Sequence, residues 1–181
     1  MFEREEFVAE CRSAIEGGGE QKHARELVAR AVSDPAAVVR GLGVPEKAGI
    51  DVLYRSPQLT VLNLVWGARM SVMPHNHRMW AVIGVYGGGE DNIFWRRVPG
   101  PRQLEAAGAR SLRAGEVDTL GHDIIHSVLN PLDRLTGALH VYGGDFFATE
   151  RSEWEAEALV EGKFDMVAAR ERFEAAGGRW V

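Results

Sequence analysis

The sequence has one cysteine, Cys11, among 181 residues, so no disulfide can form within the chain. No apolar run approaches the roughly 20 residues that a bilayer-spanning helix needs. A basic stripe is also missing. The 21 Lys and Arg are outnumbered by 26 Asp and Glu, and the formal charge of -5 is spread along the length. A dedicated nucleic-acid binder would show clustered positive charge. The opening residues, Met1-Phe2-Glu3-Arg4-Glu5-Glu6, are acidic and lack the pattern of a secretory signal. With so little cysteine, this predicts a cytoplasmic protein with neither nucleic acid nor membrane as a partner. Repeats, low-complexity tracts and a clear linker are absent too, so one structural domain is expected. Cys11 sits in a helical pattern and is expected to be a half-buried small side chain.

What is present falls into three zones: 1–48, 49–148 and 149–181. The first reads as helical. Phe2, Phe7, Cys11 and Ile15 recur at helical spacing, stopped by Gly17-Gly18-Gly19. A second set follows at Leu27, Val28, Ala31 and Val32. Asp34-Pro35 then combines an N-cap with proline at the first helical position, and this third helix ends near Gly41-Leu42-Gly43. The middle zone loses helical periodicity. Short β-branched and aromatic runs predict strands over 50–54, 60–66, 71–75, 80–86, 92–97, 117–120, 126–129 and 137–142. Breakers separate them at Ser56-Pro57, Gly87-Gly88-Gly89, Pro99-Gly100-Pro101 and Asn130-Pro131. Many short strands at regular spacing predict a mainly β jelly-roll barrel with helices at both ends. In the last zone Ser152 and Glu155 form a capping-box pattern, and Met166, Val167, Arg170 and Phe173 repeat helically up to Gly177-Gly178.

Histidines concentrate in the β-zone: His75, His77, His126 and His140, with His122 just before His126. His23, in the helical zone, is expected at the surface. His75 and His77 flank Asn76, and side chains two apart on a strand point to one face. Metal–nitrogen bonds are about 2 Å, so two ligands from one strand need this spacing. Asn130-Pro131-Leu132-Asp133 predicts a hairpin that sets His126 and His140 opposite each other. Three neutral imidazoles would leave coordination positions open, which suits catalysis more than a closed structural site. Glu90 beside its glycine run is an outside candidate for a histidine–carboxylate triad, and exposure in a turn is expected for it.

These motifs resemble those of the cysteine dioxygenase-like thiol dioxygenases, a branch of the cupin superfamily. The likeness is carried by Trp66-Gly67 ahead of Pro74-His75-Asn76-His77. Ile125-His126-Ser127-Val128-Leu129-Asn130 and Leu139-His140-Val141-Tyr142 add to it, over roughly residues 50 to 145. The resemblance implies a cupin double-stranded β-helix with iron(II) on His75, His77 and His126. Histidine sites also take zinc, nickel or manganese. It implies His140 and Tyr142 as an outer pair, with Tyr142 donating a hydrogen bond to bound oxygen. Arg55, with Arg69 in reserve, would hold a substrate carboxylate. The implied reaction oxidises a small thiol carboxylate to its sulfinate with O2, in a monomer or homodimer. Leu62, Leu64, Val82 and Val128 would wall the site. Two departures stand out: Val82 occupies the place of the animal enzymes' crosslinking cysteine, and Ala138 that of a serine two residues before the late histidine. The residues leave open a cupin of other metal chemistry, such as a diketone dioxygenase or isomerase, and a non-catalytic small-ligand binder.

Overall fold

The computed structural model describes residues 2–17, 21–100 and 103–180. Of the predicted breakers, Gly18, Gly19 and Pro101 lie outside these. Three helices open the chain: α1 (Arg4–Glu16), α2 (Gln21–Val32) and α3 (Pro35–Leu42). Asp34 caps α3 by accepting from the Ala37 amide at 3.0 Å. Nine strands follow: β1 (Gly49–Arg55), β2 (Thr60–Trp66), β3 (Ser71–Asn76), β4 (Ala81–Gly87), β5 (Gly89–Arg97), β6 (Leu104–Arg113), β7 (Val117–Leu120), β8 (Ile125–Leu129) and β9 (Thr136–Tyr142). A short hairpin, β10 (Ser152–Trp154) and β11 (Glu161–Lys163), leads into α4 (Met166–Ala175). No helix of the described residues is long and apolar enough to cross a membrane.

The strands form two antiparallel sheets, ordered β1-β2-β9-β4-β7 and β11-β10-β3-β8-β5-β6. The strands β2 to β9 follow the double Greek-key order of a jelly roll, crossing between sheets at every step except the β5–β6 hairpin. The fold is mainly β, a double-stranded β-helix. The first sheet is covered on both faces, so β2, β4 and β9 are buried at every position. Alternate residues face opposite layers. Leu62, Leu64, Ala81, Ile83, Ala138 and Tyr142 join the barrel interior. Val61, Val82, Leu139 and Val141 pack instead against Phe7, Val28, Val32 and Val38 of the helices. Val82 therefore belongs to the helical layer and walls no site.

The structure corrects several other expectations. The Asn130–Asp133 segment forms no hairpin, because β8 and β9 lie in different sheets. Asn130 instead pins a crossing between them, donating to the carbonyls of Gly67 and Arg134 at 2.7 Å each. Ser152 and Glu155 start no helix. Ser152 lies in β10, and Glu155 accepts from the amides of Glu157 and Ala158 to build the β10–β11 turn. The strand β6 has no counterpart among the predicted strands; it is an edge strand, exposed at seven successive positions. Cys11 is buried, not half-buried, at 1% exposure.

Candidate metal centre

The centre begins with a strand defect. Register between β3 and β8 shifts between Val72 and His75. A bulge of this kind lets residues three apart share one face, and both Val72 and His75 line the interior cavity. Pro74, which has no amide to donate, sits within the irregular stretch. His75 is then the cross-strand partner of His126. His77 lies just past the end of β3 and turns back to the same point.

Three imidazoles converge there, all buried: His75, His77 and His126. The His77 Nε2 atom is 3.2 Å from that of His75 and 3.4 Å from that of His126. One proton on His77 Nε2 could not serve both contacts. His75 Nδ1 donates to the Met73 carbonyl at 2.9 Å, and His126 Nδ1 donates to Asn92 Oδ1 at 2.7 Å. A neutral ring that donates from Nδ1 has a lone pair on Nε2. At least two lone pairs therefore face the same point as His77 Nε2, an arrangement that a cation would satisfy. With metal–nitrogen bonds of about 2.1 Å, the two separations correspond to angles of about 100–110° at an ion. Protonation does not supply the charge near neutral pH. Burial pushes His75 down to about 4. It holds His77 and His126 well below the ordinary histidine value, and the neighbouring histidines add to the effect. The three residues could hold a metal ion, with outer hydrogen bonds that fix two of the rings.

A narrow cavity of about 40 Å³ lies beside the three rings. Its walls include Leu64, Trp66, Val128, Tyr142 and Phe146, and Phe164 and Phe173 cover it from the C-terminal segment. One water needs roughly 10–15 Å³ on this kind of measure, so the space suits a small ligand. His140 and Tyr142 also line it, and His140 Nδ1 lies 2.9 Å from the Tyr142 hydroxyl. His140 does not join the three ligating nitrogens.

Arg55 is not brought to this site. Its side chain is 48% exposed and makes a bidentate pair with Asp145 at 2.9 and 3.0 Å. That pairing holds the Asp145 carboxyl below its usual range. Arg69 is exposed as well and grips Asp133 in the same way. The buried cation near the rings is Arg151, which sequence reasoning missed. It is 7% exposed and lies between Phe146 and Phe164, 4.3 and 4.2 Å from the ring centroids. Its Nη1 donates to the carbonyls of Phe146 and Thr149, while Nε and Nη2 have no partner. Burial pulls it down to about 10, so it stays charged at neutral pH. Only the aromatic residues around it, Phe146 and Phe164, could have marked it in the sequence.

Glu90 is the second correction. Gly87 closes β4 in one sheet, Gly88 has φ of 78°, and Gly89 opens β5 in the other. The glycines thus form a corner between sheets, and the next residue enters the interior at once. Glu90 is fully buried, accepts from Asn92 Nδ2 at 3.0 Å, and contributes no ligand to the three-histidine group.

No protein-family model matches the chain. Solved structures similar to it include an RmlC-like cupin family protein with a double-stranded β-helix fold from Methanocaldococcus jannaschii. That match has 8% identity over 57% of this chain and 85% of the other, with a TM-score of 0.47. An uncharacterised double-stranded β-helix protein from Klebsiella pneumoniae matches at 11% identity, 66% and 85% coverage, and a TM-score of 0.44. A DMSP lyase from Ruegeria pomeroyi matches at 17% identity, 61% and 53% coverage, and a TM-score of 0.47.

Proposed function

We propose that this protein is an iron(II)-dependent dioxygenase that converts a small thiol carboxylate to its sulfinate with O2. The observation that carries the reading is the convergence of three buried, neutral imidazoles beside a small apolar cavity with a half-satisfied guanidinium nearby. His75, His77 and His126 would hold the ion. A ferrous ion there supplies the redox chemistry that joins both atoms of O2 to sulfur.

The chain's own residues do the rest. Three neutral ligands leave the ion's charge uncompensated, which favours an anionic thiolate. Arg151 offers Nε and Nη2 to a carboxylate, the paired geometry that arginine suits better than lysine. Leu64, Val128, Phe146 and Phe173 exclude water, and confinement holds the reactants together. Tyr142, braced by His140, faces the bound molecule.

The test is anaerobic iron loading followed by oxygen uptake with cysteine, 3-mercaptopropionate and mercaptosuccinate, with His126→Ala beside the wild type. Iron- and thiol-dependent uptake that disappears in the variant is expected. Bound metal without uptake on any thiol would leave a metal-binding barrel of other chemistry. No bound metal would overturn the reading altogether.

A further inference from the structure

Two buried polar atoms face each other with no other partner: Glu90 Oε2 and His140 Nε2, 3.7 Å apart. Both residues are nearly or fully buried, at 0% and 3% exposure. The separation is about 0.8 Å longer than a hydrogen bond. A small ring or carboxylate rotation would close it and satisfy both atoms. Unmade polar contacts at this depth are costly, which drives that closure.

The contacts around the pair have a fixed direction. His126 Nδ1 donates to Asn92 Oδ1, and Asn92 Nδ2 then donates to Glu90 Oε1. Glu90 is thereby the acceptor at the end of an arm that starts on a candidate metal ligand. Among the described residues, the unpartnered group beside its other oxygen is His140 Nε2. Held as a carboxylate, Glu90 accepts and cannot donate, and His140 then carries its proton on Nε2. Its Nδ1 is then a lone pair, and the contact at 2.9 Å requires the Tyr142 hydroxyl to donate to it.

We infer that Glu90 is a positioning residue that fixes the Nε2–H tautomer of His140 and so makes Tyr142 a hydrogen-bond acceptor toward the cavity. This deepens the reading of the site as thiol-binding while resting on the buried network alone. It reverses the donor role that family resemblance implies for Tyr142. With its own proton committed to His140, Tyr142 presents oxygen lone pairs to the bound molecule. The site then favours ligands with a donor at that position, such as a hydroxyl or an ammonium group carried beside the thiolate. Glu90 stands where no serine is available, since the residue two before His140 is Ala138.

The isosteric variant Glu90→Gln gives a sharp test. Asn92 Nδ2 holds a carbonyl oxygen at one position, so the glutamine NH2 must face His140 Nε2. That nitrogen can then only accept, the proton moves to Nδ1, and Tyr142 is freed to donate into the cavity. Histidine-15N NMR on the zinc-loaded protein reads the tautomer directly, with His140 assigned from its missing signals in His140→Gln. Wild type should show a protonated Nε2 and a bare Nδ1, and Glu90→Gln should exchange the two nitrogen shifts. Tyr142→Phe should keep the wild-type tautomer, because Glu90 sets it. A protonated Nδ1 in wild type, no exchange in Glu90→Gln, or a flip in Tyr142→Phe would each overturn the inference. Zinc content is measured alongside, and thiol-dependent oxygen uptake is measured separately on the iron-loaded protein. Absent turnover with the expected tautomers sinks the thiol reading and leaves this one standing.

Discussion

At the scale of single residues, His75 shows how burial prepares a ligand and loads the fold. Its imidazole, near 6.5 when unfolded, is held down to about 4 in the folded protein, chiefly by burial. Between these values the unfolded chain binds a proton that the folded one refuses, so stability rises with pH across that window and falls as pH drops. For His75 alone the loss in metal-free protein amounts to on the order of 3 kcal/mol by pH 4. His77 and His126 are shifted the same way and add to it. Melting of metal-free protein between pH 7 and 4 should show a steep decline, and His126→Asn should flatten it. A pH-independent melt would mean the rings are hydrated and not buried. Arg151 and Arg55 make a second pair of outcomes. Replacing Arg151 by Met keeps bulk between Phe146 and Phe164 but removes the charge. A charge-assisted hydrogen bond is worth about 1.5–3 kcal/mol, so without it KM for a thiol carboxylate should rise about 10- to 100-fold. Arg55→Ala removes a pair with Asp145 and a stacking contact on Phe147, both away from the three histidines, and should leave KM unchanged. Oxygen-uptake kinetics on both variants would decide which arginine meets the substrate.

At the scale of elements, the first sheet depends on close approach by α2. A Cβ built on Gly84 of β4 would lie 2.3 Å from Val28 Cγ1 and 3.0 Å from Val32 Cγ1. Neither methyl belongs to a long flexible side chain, so the helix itself must shift. Gly84→Ala should therefore destabilise by about 1–3 kcal/mol in denaturant titration, while zinc content stays unchanged. Unaltered stability would show that α2 floats on the sheet. The same element explains what was legible beforehand. Strands such as β2 and β9 are dense in β-branched and aromatic residues, and their bounds follow from the sequence within a residue. The strand β6 was invisible because Glu105-Ala106-Ala107-Gly108-Ala109-Arg110 has neither alternation nor β-formers; pairing with β5 holds it, not propensity. His75 and His77 announce themselves by spacing, and the third ligand by its motif. Arg151 and Glu90 could not be found that way. Their roles come from how the chain crosses between sheets, and a glycine corner reads locally as an exposed turn.

At the scale of the whole molecule, the C-terminal segment closes the barrel that the two sheets build. Asp165 caps α4 by accepting from the amides of Val167 and Ala168. The helix sets Phe173 5.0 Å from Trp66, ring centroid to centroid, over the cavity. Residues beyond it are tied down, since Gly177 accepts from the Ala68 amide at 2.7 Å and Arg179 from the Leu135 amide at 2.8 Å. Trp180 fills the space beside Gly87, where an added Cβ would meet its ring at 2.1 Å. A lid fastened at both ends, by its cap and by this tail, keeps water from the three histidines without a covalent link. Opening it by one side chain separates closure from folding. Phe173→Ala removes a ring that is 4% exposed, and should cost about 3–5 kcal/mol. If α4 is the closure, the same variant should release zinc to a chelator at least several-fold faster at a temperature where it remains folded. It should also admit thiols bulkier than those the wild type accepts. A destabilised variant with wild-type release rates would show that ligand and metal reach the histidines by another route, and the C-terminal helix would be ballast for the fold alone.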